Sequence, residues 1–357
     1  MTRLKACVLG ATGMVGQQFV RILAGHPDFE LVLLTASERS VGLQYQNSTD
    51  WVVSNKIPKE FKEMIVTNTQ TEKLVENEID LVFCALPSGI AEELEIDIAT
   101  AGIPVFSNTS AHRMKPDVPI LIPEINPDHL KLIETQQFTD GFIVTNSNCS
   151  TSGLVFGLKP LMPFGLNDVV VTTYQAVSGA GRNGVASMDI LGNVVPFIPD
   201  EEAKMEVETR AILGKLDDGS IRPADFRINA SCARVPVMNG HLESVVVQLD
   251  DDVSTDDVID AFETFSGEPQ SLNLPTAPKT PIVVHQEADR PQPLRDLSIE
   301  GGDLGMAVKV GRIRKKDGRV NFFLLVHNTI RGAAGASVLN AEYALAKGYL
   351  NPRTEVI

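Results

Sequence analysis

Residues 4–16 read LKACVLGATGMVG, an apolar run that leads directly into a glycine-rich turn. The run from Leu4 to Leu9 predicts a buried strand, and the pattern from Met14 to Ala24 predicts a helix. Glycines in such a turn allow a tight bend and close approach of a pyrophosphate, while free amides at the helix start face the phosphates. The candidate cofactor-binding residues here are Gly10, Thr12, Gly13, Met14, Val15 and Gly16. A turn that serves packing alone is the alternative.

The first 148 residues continue this alternation of short apolar runs and helical patterns, as parallel βα units do. A helix is predicted between two of the runs, from Gly89 to Ala101. The further predicted strands are Glu30 to Ala36, Asp80 to Leu86, Pro104 to Asn108 and Phe142 to Thr145. We therefore predict a Rossmann-type domain with a parallel sheet over residues 1–148.

The end of the second predicted strand bears on the choice of dinucleotide. An NAD-binding domain usually places an acidic residue there for the ribose hydroxyl, whereas an Arg accommodates a 2′-phosphate. Ser37, Arg39 and Ser40 could surround a 2′-phosphate, which favours NADP. Glu38 leaves a ribose contact open, and a solvated surface charge is the plainer interpretation of Arg39.

Beyond residue 148 the pattern changes to longer strands, several of which alternate polar and apolar residues. This alternation fits a largely antiparallel sheet with one covered face, and helices near Glu201 to Leu213 and Thr255 to Phe265 are expected to cover it. The predicted strands are Asp168 to Val177, Arg227 to Val235, Glu243 to Leu249, Met306 to Ile313 and Arg319 to Val326. We therefore predict a second, α+β domain over residues 149–330.

Two further segments have their own character. Residues 267–293 are rich in proline and predict a long excursion of the kind that reaches a partner subunit. The last predicted helix, Gly332 to Lys347, is rich in small residues, which suits close packing on a sheet. We expect it to return to the first domain, so that residues 331–357 complete that domain.

Length, charge and cysteine content limit the possible functions. A chain of 357 residues is too long for one ordinary core, which indicates two domains. The net charge of −15 disfavours nucleic acid and anionic membranes as partners. No apolar run approaches the ~20 residues of a membrane span, and the N-terminus lacks a secretory signal pattern, so the cytoplasm is the expected location. The four cysteines form no CxxC pair, so neither a disulfide framework nor a metal site is expected.

The segment from Asn146 to Gly153, NSNCSTSG, follows a predicted strand and precedes an apolar helix from Leu154 to Leu161. Cys149 is therefore expected at a helix N-terminus, a position that lowers the pKa of a thiol and raises its thiolate fraction. A thiolate adds to a carbonyl group to give a covalent intermediate that a dehydrogenase can oxidise. A lone cysteine is more often a core residue, but the polar neighbours of Cys149 argue against that.

Such a nucleophile needs a base, and His241 at the end of CARVPVMNGH (232–241) is a candidate. His112 and His327 also lie inside motifs, and neither composition nor spacing distinguishes among the three. The residues alone therefore leave the identity of the base open.

Six motifs, in order over nearly the whole chain, resemble those of aspartate-semialdehyde dehydrogenases. They are GATGMVG at 10–16, SNCSTSG at 147–153, YQAVSGAG at 174–181, EEAKMEVET at 201–209, CARVPVMNGH at 232–241 and HNTIRGAAG at 327–335. The short loops and the length are similar to those of the archaeal and fungal branch of that family.

The resemblance implies a catalytic role for four residues. Cys149 is the nucleophile, and Asn148 precedes it in the family's Asn-Cys pair. Gln175 orients the thioester or thiohemiacetal, and His241 is the general acid/base. The residues 149–330 then form the catalytic and dimerisation domain.

The resemblance also implies binding roles. Arg234 binds the substrate α-carboxylate, which suits a planar guanidinium, and Glu201 contacts the substrate amino group. Arg113 and Lys204 bind the phosphate, although a surface ion pair between Glu201 and Lys204, three residues apart, is the plainer interpretation of that pair. The residues by the nicotinamide are Ser178 and Gly179, with Asn328 at its carboxamide.

The activity implied is the reversible, NADPH-dependent reductive dephosphorylation of L-aspartyl 4-phosphate to L-aspartate 4-semialdehyde through a thioester on Cys149. This step belongs to the biosynthesis of lysine, methionine, threonine and isoleucine. The implied cofactor is NADP, and the implied small-molecule partners are the two aspartate derivatives and phosphate. The implied assembly is a homo-oligomer, a dimer at least, with a tetramer expected.

Two other functions compete with this one. Malonyl-CoA reductases resemble the same family, but intact Gln175 and Arg234 favour the amino-acid substrate. A non-catalytic dinucleotide-binding sensor would be indicated by loss of Cys149 or His241, and both are present. Glyceraldehyde-phosphate dehydrogenases also combine a Cys, a His and two domains, but their surrounding motifs differ.

Overall fold

The computed structural model describes residues 3–54, 56–250, 252–297 and 303–352. The chain divides into two compact units. The first contains the residues up to Leu121, Asp128–Asn146 and the residues from Ala333 onward, and the second contains Ile122–Pro127 and Ser147–Gly332. The last part of the predicted C-terminal segment, 353–357, lies outside the described residues.

The first unit is built on a parallel sheet of five strands. These are β1 (Leu4–Leu9), β2 (Phe29–Thr35), β3 (Leu81–Cys84), β4 (Val105–Ser107) and β5 (Ile143–Thr145), in the order β2-β1-β3-β4-β5. Its helices before β5 are α1 (Met14–Leu23), α2 (Tyr45–Ser48), α3 (Thr71–Glu76) and α4 (Ser88–Thr100). The predicted strands and the two predicted helices of this half are confirmed, with ends shifted by one or two residues.

The second unit is built on a sheet of six strands. Its helices are α5 (Cys149–Leu158), α6 (Ser187–Ile190), α7 (Glu201–Ile212), α8 (Thr255–Glu263), α9 (Glu268–Ser271) and α10 (Pro293–Asp296). Its strands are β6 (Leu166–Gln175), β7 (Lys215–Asp217), β8 (Ser220–Arg222), β9 (Arg227–Arg234), β10 (His241–Leu249), β11 (Ile282–His285), β12 (Val308–Lys316) and β13 (Arg319–Val326). The large sheet has the order β11-β12-β13-β10-β6-β9, and β7 and β8 form a separate hairpin.

This large sheet is mixed. Its three central pairings, β12 with β13, β13 with β10 and β10 with β6, are antiparallel, as expected. The two edge strands, β9 and β11, instead run parallel to their neighbours β6 and β12. The parallel pairings were not predicted, because an edge strand's direction depends on its connections and not on its own residues.

β11 also corrects the expectation for residues 267–293. This stretch is not a simple excursion, since Ile282–His285 forms an edge strand of the sheet within it. The β-branched run Ile282, Val283 and Val284, directly after Pro281, has strong strand propensity that the proline content of the segment concealed.

One face of the large sheet is covered. Alternate residues of β6 and β10 are buried, and helices α5, α7 and α8 contact the sheet. The two helices expected to cover it, α7 and α8, are therefore joined by α5, the helix that begins at Cys149. The other face carries half-exposed side chains on the same strands, among them Val170 and Tyr174, each 37% exposed.

The final helix, α11 (Gly335–Ala346), follows a wide π-type turn over Ile330–Ala334 and lies in the first unit against α1 and β4. Its polar side chains are buried but hydrogen-bonded. Glu342 pairs with His26 at 2.9 Å, and Asn340 donates to the carbonyl of Leu121 at 3.1 Å and to Asn146 Oδ1 at 2.9 Å. Small residues let the helix approach closely, and these bonds fix its register.

Candidate active site

The nucleophile candidate begins a helix, as predicted. Cys149 is the first residue of α5, and Asn148 caps the helix by accepting hydrogen bonds from the amides of Ser150 and Thr151 at 2.9 and 3.1 Å. Cys149 is partly exposed, whereas Cys7, Cys84 and Cys232 are buried. Burial raises the pKa of Cys232 to about 12 and also raises the pKa values of Cys7 and Cys84, so these three thiols stay protonated.

Strand pairing brings three distant motifs to one end of the large sheet. Gln175 ends β6 and pairs in register with Arg234, which ends the parallel strand β9. His241 begins β10, which is antiparallel to β6 on its other side. All three side chains are buried, and Arg234 donates from Nη1 to the carbonyl of Ala176 at 2.8 Å. The register of the sheet, and not any local pattern, therefore assembles this group.

The structure identifies which histidine lies beside the thiol. His241 Nε2 is 3.2 Å from Cys149 Sγ, and its Nδ1 accepts a hydrogen bond from the amide of Ala176 at 3.1 Å. Burial, reinforced by the nearby Arg234 charge, lowers the pKa of His241 to about 3, so its imidazole is neutral. Because Nδ1 accepts from a backbone amide, the single ring proton lies on Nε2 and points at the sulfur.

A carboxyl group connects the cap of α5 to the end of β6. Glu201 Oε1 accepts from Asn148 Nδ2 and from Gln175 Nε2, both at 2.9 Å. Glu208, two turns further along α7, accepts from the amide of Asn148 at 2.5 Å. Glu201 and Glu208 thus hold the residue before the nucleophile by its side chain and its backbone.

Asn328 connects the turn after β6 to the residue before His241. Its Nδ2 donates to Ser178 Oγ and its Oδ1 accepts from the amide of Gly240, both at 2.8 Å. A Cβ at Gly179 would lie 2.7 Å from Arg234 Nη1 and 3.3 Å from His241 Nε2, so a side chain there would displace the Arg234 guanidinium. Each end of the Asn328 amide therefore has one protein partner, and because an amide group can donate two hydrogen bonds and accept two, these contacts leave capacity for a nicotinamide carboxamide.

The glycine turn of the first unit lies after β1, where the strand order reverses between β1 and β3. Ligands of open parallel sheets bind at such a point. Gly10 has a φ of +78°, and a Cβ there would lie 2.8 Å from the carbonyl oxygen of Ala85. A Cβ at Gly16 would lie 2.1 Å from the carbonyl oxygen of Gly10, so both positions require glycine. No side chain caps the start of α1, which suits amides that receive a phosphate.

Two residues that sequence patterns did not reveal support this turn. Gln17 is buried and donates from Nε2 to the carbonyls of Thr12 and Asp50 at 3.1 and 3.0 Å. The hydroxyl of Tyr45 donates to the carbonyl of Ala11 at 2.8 Å. These polar groups stand outside the glycine motif, so only the folded loop shows their role.

The residues after β2 form a turn in which the amide of Ser40 donates to the carbonyl of Ser37 at 2.9 Å. Ser37, Glu38 and Arg39 are exposed, and Ser40 is buried. In the same unit, Arg113 is half-buried and donates from Nη2 to the carbonyl of Asn108 at 3.2 Å. Lys204 is half-buried on α7, one turn from Glu201. The roles of these residues toward phosphate groups stay predictions.

Comparison with known proteins gives the family. Residues 5–133 match the model of the semialdehyde dehydrogenase NAD binding domain, and residues 158–331 match that of the semialdehyde dehydrogenase dimerisation domain. The aspartate-semialdehyde dehydrogenase of Methanothermobacter thermautotrophicus is 50% identical over 342 residues, which cover 94% of this chain and 97% of that protein. The chain belongs to the semialdehyde dehydrogenase family. The resemblance inferred from the motifs is confirmed.

A solved structure shares the fold of this semialdehyde dehydrogenase family member. The crystal structure of the Candida albicans aspartate semialdehyde dehydrogenase with NADP has a TM-score of 0.88 at 36% identity, covering 97% of this chain and 100% of that one. The malonyl CoA reductase (NADP) of Metallosphaera sedula is also similar, at 38% identity over 98% of this chain and 99% of that protein. Family membership alone therefore leaves two substrate classes to consider.

One buried acid in this semialdehyde dehydrogenase domain was not singled out from the sequence. Glu243 lies two residues after His241 on β10, on the same covered face, and neither carboxyl oxygen has a hydrogen-bond partner among the described residues. Burial, and then the nearby Glu201, raises the pKa of Glu243 well above its usual value. The alternation of a strand, which places residues 241 and 243 on one face, was the available signal.

No cluster of three or more His, Cys, Asp or Glu side chains in the described ranges is arranged to hold a metal ion. In the same ranges, no helix is long and apolar enough to cross a membrane.

Proposed function

We propose that this chain is an aspartate-semialdehyde dehydrogenase that reduces L-aspartyl 4-phosphate to L-aspartate 4-semialdehyde and works in amino-acid biosynthesis. The observation that carries the proposal is the Cys149 thiol, 3.2 Å from the buried Nε2 of His241 at the start of a helix. Gln175, Arg234 and Glu201 surround that pair with an amide, a guanidinium and a carboxyl group. This set can bind an amino acid and transfer its acyl group to sulfur.

The glycine turn fits a dinucleotide, because the shape at Gly10 and Gly16 excludes side chains and the start of α1 has no side-chain cap. We propose NADP as the cofactor, which supplies the hydride when bound. Arg39, Ser37 and Ser40 follow the second strand, where a 2′-phosphate is received in this type of domain. Arg39 is exposed, so its guanidinium is accessible to such a phosphate.

The first chemical step belongs to Cys149. Its thiolate attacks the acyl carbon of aspartyl phosphate, a carbon–sulfur bond forms, and the bond to the phosphate oxygen breaks. The helix N-terminus and the Arg234 charge favour the thiolate over the thiol. The product of the step is a thioester on Cys149 and free phosphate.

His241 then stabilises the oxyanion. When hydride reaches the thioester carbon, the carbonyl oxygen becomes an oxyanion, and the Nε2–H of His241 is in place to donate a hydrogen bond to it. The oxyanion then collapses, the carbon–sulfur bond breaks, and the aldehyde and the Cys149 thiolate are released with no net proton transfer. The neutral, Nε2-protonated ring suits this role, because it is a hydrogen-bond donor before hydride transfer and keeps its single proton throughout.

Two charged residues fit the amino-acid part of the substrate. Arg234 has a buried guanidinium whose planar shape can hold an α-carboxylate by two parallel hydrogen bonds. Glu201 offers a buried carboxyl group for the substrate ammonium. We assign the phosphate to Arg113 and Lys204.

A malonyl-CoA reductase is the second candidate, because a relative of 38% identity has that printed name. A malonyl group carries a carboxylate but no amino group, so it has no use for Glu201. The bonds that Glu201 receives from Asn148 and Gln175 place its carboxyl group beside the nucleophile's cap and favour the amino-acid substrate.

A paired assay tests the proposal. We expect phosphate-dependent reduction of NADP by aspartate semialdehyde, and no oxidation of NADPH by malonyl-CoA beyond background. Quenched mixtures should show an acyl adduct on Cys149 by mass spectrometry, and Cys149→Ala should be inactive with an unchanged melting temperature. An adduct on Cys7, Cys84 or Cys232, or turnover of malonyl-CoA alone, would contradict the proposal.

The second domain matches a dimerisation domain, which supports a homo-oligomer. We propose that the second copy docks on the uncovered side of the large sheet, which we call the outer sheet face. It is formed by Val170, Thr172, Tyr174, Leu242, Val246 and Phe323. A further apolar surface at Met188, Leu191 and Phe197, which are 90%, 70% and 63% exposed, offers a place for two dimers to join as a tetramer. The cytoplasmic location stays a prediction.

A further inference from the structure

Gly332 lies directly against the nucleophile. A Cβ on residue 332 would lie 2.8 Å from Cβ of Cys149 and 3.0 Å from its Cα. Ordinary carbon contacts are about 3.5–4.0 Å, so even a methyl group would have to displace Cys149 by on the order of 1 Å. Cys149 can therefore occupy its observed position only because residue 332 has no side chain.

Arg331, the neighbouring residue, holds this glycine in place. Its side chain is 1% exposed and donates from Nε to the carbonyl of Met306 at 2.6 Å and from Nη2 to Glu124 Oε1 at 2.7 Å. Its guanidinium also lies 4.7 Å from the centre of the Phe156 ring, and Phe156 belongs to α5. A buried, fully charged side chain with three such contacts is a costly feature that packing alone does not require.

Cys149 and His241 belong to two elements, α5 and β10, that both contact strand β13. His241 pairs with Val326 across β10 and β13, and Gly153 of α5 packs so closely on Val326 that a Cβ would lie 2.8 Å from Val326 Cβ. The chain after Val326 then turns back, with the amide of Gly332 donating to the carbonyl of His327 at 3.1 Å. Strand β13 and its following turn thus contact α5 on the face that carries Cys149 and Gly153.

We infer that Arg331 and Gly332 are positioning residues that set the distance between Cys149 Sγ and His241 Nε2. Arg331 anchors the turn to Met306, Glu124 and α5, and Gly332 forms the surface on which the first residue of α5 rests. The inference rests on the proposed role of Cys149 as nucleophile, and it assigns no contact with substrate to either residue.

The substitution Gly332→Ala tests it. We expect kcat to fall roughly 10- to 100-fold, since a shift of about 1 Å in a reacting group has that order of effect. The KM for aspartate semialdehyde should stay within about twofold, because Arg234 and Glu201 are untouched. The pH midpoint of alkylation by iodoacetamide should rise, as Sγ loses its place beside Nε2; the other three cysteines are buried, so alkylation reports on Cys149.

Gly89→Ala is the matched control, because a Cβ on that glycine meets no atom within 4 Å and its φ is not positive. It should leave kcat and the alkylation profile unchanged. Arg331→Lys is the second test: it keeps the charge but loses the planar fork that reaches both Met306 and Glu124. We expect a lower kcat and a higher alkylation midpoint in this variant also.

The outcomes separate this inference from the proposed function. Cys149→Ala that keeps its activity overturns the proposed function. An inactive Cys149→Ala together with Gly332→Ala and Arg331→Lys at wild-type kcat and alkylation midpoint overturns only the positioning role. A loss of melting temperature with no change in the alkylation midpoint would likewise reduce Arg331 and Gly332 to structural residues.

Discussion

His241 and Glu243 are two buried residues on β10 whose pKa values are shifted in opposite directions. In both cases the shift disfavours the charged form. Burial lowers the pKa of His241 to about 3, and it raises the pKa of Glu243 well above the usual value. Burial thus favours the neutral form of both side chains, and both lie on the covered face of the sheet beside the proposed site. A neutral Glu243 spares the thiolate of Cys149 a further negative charge.

Glu243→Gln should change the pH dependence of stability. The folded state binds the Glu243 proton more tightly than the unfolded state does, so wild-type stability falls as pH rises above the unfolded value of about 4.3. Each pH unit up to the folded pKa costs about 1.4 kcal/mol. Glutamine keeps the shape and cannot ionise, so the variant should gain melting temperature over the wild type as pH rises from 5 to 8.

The exposed Glu93 of α4 supplies the control for this comparison. Glu93→Gln should melt with the same pH dependence as the wild type. A difference between Glu243→Gln and wild type that is constant from pH 5 to 8 would show that Glu243 ionises normally in the folded chain.

At the scale of secondary-structure elements, local patterns predicted α5 and its cap while long-range pairing could not be predicted. The polar segment before an apolar run indicates a helix start, and Cys149 stands there. The neighbours of that helix are set by the register of β6, β9 and β10, which joins motifs at Gln175, Arg234 and His241. The sequence left His112, His241 and His327 open as candidates, and the folded chain shows that His241 Nε2 lies 3.2 Å from Cys149 Sγ.

Strand β11, which was not predicted, also depends on long-range pairing. β11 was hidden in a proline-rich segment, and its parallel pairing with β12 involves residues that lie more than twenty positions away in the sequence. The glycine turn, by contrast, needs only its own strand and helix, and it was recognised from residues 4–16 alone. Local motifs were predictable because their physical cause is local.

The cap of α5 gives a prediction at this scale. Asn148→Ala removes the acceptor for the amides of Ser150 and Thr151 and the bond to Glu201, so it should lower stability by about 1 kcal/mol. It should also lower kcat roughly tenfold, because the loosened first turn carries Cys149. Ser254, which caps α8, is the matched control: Ser254→Ala should cost similar stability and leave kcat unchanged. Equal kcat values in both variants would show that the cap serves folding alone.

At the scale of the whole molecule, a net charge of −15 opposes association of like copies. Association must therefore come from a surface whose apolar area outweighs that repulsion. The outer sheet face has this character, since Val170 and Val246 lie directly opposite each other on the adjacent strands β6 and β10. When a second copy covers this face, its exposed apolar area is removed from water, and this favours association.

Val170→Asp should therefore separate the subunits. Light scattering at micromolar concentration should give the wild type at least twice the 38.7 kDa mass of one chain, and the variant a mass shifted toward one chain. An aspartate at this point would be buried without a partner in the dimer, and that cost opposes association but not the folding of one chain. Val75→Asp is the control, because Val75 is similarly exposed, at 47%, but belongs to the first unit. Val170 lies on the exposed face of β6, and Gln175 lies on the opposite, buried face. The substitution therefore leaves the core of the subunit unchanged, and a separated subunit should keep its melting transition. Wild-type mass in Val170→Asp would place the contact elsewhere, with the surface at Met188, Leu191 and Phe197 the next to substitute.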